Sequence, residues 1–85
     1  MDRSALAEAV TRKVAQHGST TTVEEAGRVI DALFGTVEQS GAIADALKDG
    51  RTVTLLGFGS FHPEDGTATL RPGQALVEYL QGTVG

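Results

Sequence analysis

The chain has no cysteine, no tryptophan and only two prolines. Without cysteine, no disulfide can staple the fold. The two histidines, His17 and His62, are far apart and lack neighbouring ligand partners, so neither a metal site nor another cofactor is expected. The lack of cysteine fits a reducing compartment. No stretch is apolar for long enough to cross a membrane, so no membrane partner is expected. Met1-Asp2-Arg3-Ser4 leads into an alanine-rich amphipathic segment rather than the apolar core of a secretory signal. A cytoplasmic location is the expectation.

Positive charge is also scarce. Seven Lys and Arg stand against eleven Asp and Glu, a net charge of -4. Proteins that grip nucleic acid by neutralising phosphates usually carry a basic face. The deficit doubles in a dimer and argues against tight non-specific DNA binding. Catalytic patterns are missing too: no Ser/His/Asp order, no paired carboxylates with a cleft, no phosphate-binding loop. A chain this small has little room for an active-site pocket, so no enzyme is expected.

The 85 residues make a single domain, 1–85. Such a chain buries only about 60% of the surface its unfolded form exposes. With no disulfide or metal to add, dimerisation is the remaining route to a sufficient core.

Leu6, Val10 and Val14 recur every four residues, which predicts an amphipathic first helix. Asp2 or Ser4 can cap its start and Gly18 can stop it. Thr22 and Glu25 have the spacing of a capping box. A second helix should follow, with Ala26, Val29, Ile30, Leu33, Phe34 and Val37 as its apolar stripe. Ser40-Gly41 is a possible break before Ile43, Ala46 and Leu47 resume helical spacing. One kinked helix or two collinear ones both fit. The helical body spans 1–49.

After Gly50 the character changes. Thr52 to Leu56 is β-branched and suits a strand, Gly57-Phe58-Gly59 allows a bend, and Ser60 to Pro63 suits a second strand. Asp65-Gly66 fits a two-residue hairpin turn. That turn pairs Glu64 with Thr67 and sets Phe61 opposite Leu70 on one face. The sheet spans 51–70. Pro72 can open a last helix over 72–82, with Leu76, Val77 and Leu80 as its apolar face and Tyr79 half-buried.

Leu55-Leu56-Gly57-Phe58-Gly59-Ser60-Phe61 resembles the signature of the bacterial HU/IHF histone-like family. Leu70-Arg71-Pro72-Gly73-Gln74-Ala75-Leu76 is similar to that family's lead into its last helix. Asp2 to Leu6, Glu8-Ala9-Val10 and Asp31-Ala32-Leu33-Phe34 also match in spacing, so the resemblance covers nearly the whole chain. It implies an α+β fold: a body of two to three N-terminal helices, a three-stranded antiparallel sheet and a C-terminal helix. It also implies an intertwined dimer, formed with itself or with a related HU-like chain. Phe34, Leu55, Phe58, Phe61 and Leu70 then fall in the dimer core.

The family carries a long basic β-arm whose tip proline wedges into the minor groove and bends duplex DNA. Here only His62 to Thr69 separate Phe61 from Leu70, and they include Glu64 and Asp65 but no Lys or Arg. A tight hairpin fits and an arm does not. Pro63 sits beside the signature rather than at an arm tip.

Arg3 and Arg71 match basic positions of the family, whereas Gln74 falls where lysine is common. Arg51 and Lys48 can join a weak patch. The expected DNA-contacting set is therefore Arg3, Lys48, Arg51 and Arg71. A few such contacts among many carboxylates give weak, salt-sensitive binding to double-stranded DNA with little bending. The competing expectation is a dimeric module that has lost DNA binding and presents its acidic surface to a protein, or pairs with an arm-bearing relative.

Overall fold

The computed structural model describes residues 1–82. They divide into two compact units, Met1–Ala42 and a second that starts at Ile43. The order is α1 (Arg3–Gln16), α2 (Val23–Phe34), α3 (Ala42–Lys48), β1 (Val53–Leu55), β2 (Gly59–Glu64), β3 (Thr67–Pro72) and α4 (Gln74–Gln81). All but the first residue of α3 thus belong with the sheet rather than with α1 and α2.

The first unit is a pair of helices with deliberate ends. The Asp2 carboxylate accepts the Ala5 N–H at 2.9 Å and starts α1. Thr22 and Glu25 form a complete capping box at the head of α2, each side chain taking the other's backbone N–H. The helices meet over two alanines and an isoleucine: Ala7, Ala26 and Ile30 are the buried apolar residues among those described, with Leu6 and Val10 packed against them. Small residues let two backbones approach closely, so little side-chain volume is needed to seal the contact.

Two expectations for this unit need correction. The second helical run is not one kinked helix: two helices form, and the break between them includes Ser40-Gly41 but does not start there. α2 ends earlier: Gly35 takes a positive φ, and its N–H bonds to the Asp31 carbonyl. The loop 35–41 then folds back, with Thr36 N–H on the Gln39 carbonyl and the Gly41 backbone against that of Gly35. Val37 therefore lies outside the helix and is fully exposed rather than part of the stripe.

The second unit is built on an antiparallel sheet in the order β1-β2-β3. β2 and β3 are joined directly by Asp65-Gly66, both at positive φ, as a type I′ turn requires. The register pairs Glu64 with Thr67 and Phe61 with Leu70. Pairing of β2 with β1 reaches only Val53 opposite Phe61, so Pro63, which has no N–H to give, lies beyond β1. Gly59 sits where the strands leave no room: an added Cβ would lie 2.6 Å from the Arg71 carbonyl oxygen.

The last helix also differs from expectation. Pro72 closes β3 instead of opening a helix, so the sheet runs two residues past 70. Pro72 pairs with Gly59 at the strand's end, where a missing N–H costs the ladder little. Gly73 is the N-cap of α4, its own N–H held by the Phe58 carbonyl at 2.8 Å. Gly82 ends α4 in the left-handed conformation. Leu76 and Val77 are half-buried, whereas Leu80 and Tyr79 are exposed, so Tyr79 is not half-buried on the single chain.

Candidate nucleic-acid interface

Strand alternation gives the sheet two chemically distinct faces. Paired positions share a face, so Thr54, Ser60, His62, Glu64, Thr67, Thr69 and Arg71 lie together on one. Val53, Leu55, Phe61, Pro63, Ala68 and Leu70 lie on the other. The first face is a field of hydroxyls with one imidazole, one guanidinium and one carboxylate. The second is apolar.

His62 organises the centre of the polar face. One ring nitrogen, Nε2, is 2.7 Å from Ser60 Oγ, and Nδ1 is 3.4 Å from Thr52 Oγ1. Arg71 runs along the same face, and its Nη2 donates to Glu64 Oε1 at 2.5 Å. The result is a polar surface with donors suited to phosphate oxygens and one anion already among them.

The four basic residues expected at a DNA surface are placed unequally. Arg71 is on the polar face, exposed and paired with Glu64. Arg51, ahead of β1, lies 3.7 Å from the Asp49 carboxylate. Lys48 ends α3 beside Pro63 and Ala68, residues of the apolar face, so it does not join Arg71. Arg3 belongs to the first unit. Its Nε and Nη2 bond to the two oxygens of Asp31, both at 2.9 Å, and its guanidinium lies over Gly27. This two-bond pair straps α1 to α2. The hydrogen bond from Arg3, reinforced by its charge, holds the Asp31 carboxyl below the usual range, and the same bond raises Arg3. Arg3 is therefore occupied by the fold.

Sequence reading missed the row of hydroxyls and His62. The signal was present: with the turn fixed at 65–66, the alternation of 60, 62, 64 against 67, 69, 71 puts these side chains on one surface. It also missed Asp31 and Glu64 as partners of the arginines.

The proposed core positions are exposed to different degrees. Leu55, Phe61 and Leu70 share the apolar face; Phe61 is half-buried, and Leu55 and Leu70 are each 43% exposed. Phe58, in the bend, is also exposed. In the first unit Phe34 is 55% exposed at the end of α2, alongside exposed Val29 and Leu33. Large apolar side chains so uncovered mark an interaction surface.

Among the described residues no cluster of His, Cys, Asp or Glu could hold a metal ion, and no helix is long and apolar enough to cross a membrane. The family model described as bacterial DNA-binding protein matches residues 1–73. The chain belongs to that family. Solved structures agree with this assignment. The chain is similar to HU from Thermotoga maritima, at 26% identity and a TM-score of 0.64, covering 94% of this chain and 98% of that one. It is likewise similar to a mutant form of HU from Thermotoga maritima, at 25% identity and a TM-score of 0.67, covering 94% of this chain and 99% of that one. No curated protein matches. The bacterial DNA-binding family is histone-like and structural rather than enzymatic, and it acts as dimers on DNA. The α+β fold inferred from the signature residues is the fold of these HU structures.

Proposed function

We propose that two copies of this chain form a histone-like dimer that binds duplex DNA weakly, without sequence preference and with little bending. The observation that carries this reading is the two-faced sheet. Its apolar face, with Phe61, Leu55 and Leu70, together with Phe34 and Phe58, supplies the dimer core that the single chain lacks. Its polar face, with Ser60, His62, Thr69 and Arg71, supplies phosphate donors. The direct Asp65-Gly66 turn leaves no arm to enter a groove, which is why the duplex stays close to straight. Arg71 is the principal cation of this surface and Arg51 a secondary one; Lys48 lies beside the apolar face, and Arg3, in the other unit, is held by Asp31 with two bonds. Such a protein works on the nucleoid in the bacterial cytoplasm.

Sedimentation tests the dimer: the mass of two chains at micromolar concentration is expected, and the mass of one contradicts it. Fluorescence anisotropy with intact and nicked duplexes tests the binding. Little preference for the nicked duplex is expected, because a surface that does not bend DNA gains little from a flexible site.

A second reading follows from the carboxylates. Three of the four expected basic residues already pair with an acid, and the net charge is -4. On that reading the dimer presents an acidic surface to a protein or pairs with an arm-bearing relative. Recovery of a basic relative with this chain from its own cells, without duplex binding in low salt, would favour it.

A further inference from the structure

We propose that Glu64 acts as a built-in anion that occupies Arg71 and holds down the affinity of the sheet's polar face for DNA. This rests on the reading of that face as the phosphate surface. The register places Arg71 opposite Ser60 and Glu64 opposite Thr67, four positions apart along the strand, or about 13 Å at ~3.3 Å per residue. Both side chains extend along the sheet to meet, and Nη2 reaches Oε1 at 2.5 Å. A carboxylate oxygen thus takes a place on the guanidinium that a phosphate oxygen would take.

The pair is not needed to hold the strands. The Asp65-Gly66 turn and six paired positions already fix the hairpin, and the Thr67 hydroxyl closes it on the Glu64 carbonyl at 2.6 Å. Both partners are substantially exposed, and exposed ion pairs contribute little to stability. They do, however, compete directly with an incoming anion. Unlike the Arg3–Asp31 strap, the Arg71 contact is a single hydrogen bond, so one phosphate can replace it without opening a helix pair.

The neighbouring residue supplies a control. Asp65 is in the turn at positive φ, a conformation that asparagine also accepts, and it makes no ion pair among the described residues. Asp65→Asn and Glu64→Gln remove the same formal charge one residue apart, but only Glu64→Gln releases Arg71.

The test is duplex binding by fluorescence anisotropy across a salt series, with melting curves to show that each variant is folded. Glu64→Gln should bind about two- to fivefold more tightly than Asp65→Asn at low salt. Its salt slope should steepen by about one to two, as one more guanidinium per protomer meets phosphate. Adding Arg71→Ala should erase the gain. Equal gains from Glu64→Gln and Asp65→Asn, or a gain that survives Arg71→Ala, would overturn the proposal and leave the DNA-binding reading intact. So would wild-type binding that Glu64→Gln leaves unchanged. Binding by Glu64→Gln alone would support the proposal and show that the native chain is fully held off DNA. No binding by either chain at low salt would overturn both.

Discussion

The Met1–Ala42 helix pair and the sheet of the second unit each carry an arginine at a position where the HU/IHF resemblance places a phosphate contact, and they use it differently. Arg3 gives two parallel bonds to Asp31, 28 residues away, and lies over Gly27. Arg71 gives one bond to Glu64 on the adjoining strand of a hairpin that other features already hold. The same residue type is thus structural in one region and exchangeable in the other. Geometry of the partner, rather than charge alone, decides which arginine is open to a ligand. The two regions differ in their cores as well. The helix pair closes over Ala7, Ala26 and Ile30, whereas the sheet's apolar face keeps Leu55 and Leu70 exposed on the single chain.

The strongest way to break this contrast is to remove the sheet's apolar anchor. Phe61→Ala should cost about 3–5 kcal/mol if that ring is dimer core. Urea unfolding at fixed protomer concentration, with sedimentation alongside, checks it; near-zero loss would show the ring outside any core. Gly59→Ala attacks the same sheet without touching its surfaces. The new methyl group meets the Arg71 carbonyl and the Pro72 backbone, so a loss of about 1–3 kcal/mol is expected in the same assay.

Smaller changes sharpen the contrast between the arginines. Arg71→Ala should weaken duplex binding by about three- to tenfold at low salt while leaving the melting temperature nearly unchanged. Arg3→Ala should do the reverse, lowering the melting temperature with less effect on binding. The smallest effect concerns acid. Arg3 depresses Asp31, so the pair's stabilising contribution is present above the ordinary carboxylate range. It is lost as pH falls through the depressed folded value. The gap in urea midpoint between wild type and Asp31→Asn should therefore be widest near neutral pH and close in acid. A gap that persists unchanged at low pH would show that the carboxylate charge is not what holds Arg3.

Much of this was legible in the residues. Asp2, the Thr22–Glu25 box and Asp65-Gly66 act through local chemistry, and each does what its spacing predicts. The hairpin register followed from the turn alone. Val37 misled because it continues the four-residue spacing from Leu33, although Gly35 had already ended the helix. Pro72 misled because a proline suits a strand's last position as well as a helix's first turn. In the helix pair, Ala26 and Ile30 were read from the stripe of α2, whereas Ala7 was missed because it is small and periodicity is read from large residues. The ion pairs were hidden for another reason: each joins residues that only tertiary structure or the strand register brings together.

The central claim is that the sheet's polar face, centred on Arg71, is a weak phosphate surface. Its most direct test is duplex DNA binding by fluorescence anisotropy across a salt series, for wild type and Arg71→Ala. The account predicts binding that strengthens steeply as salt falls and weakens when Arg71 is removed. Binding indifferent to both salt and Arg71, or no binding at low salt, would contradict it.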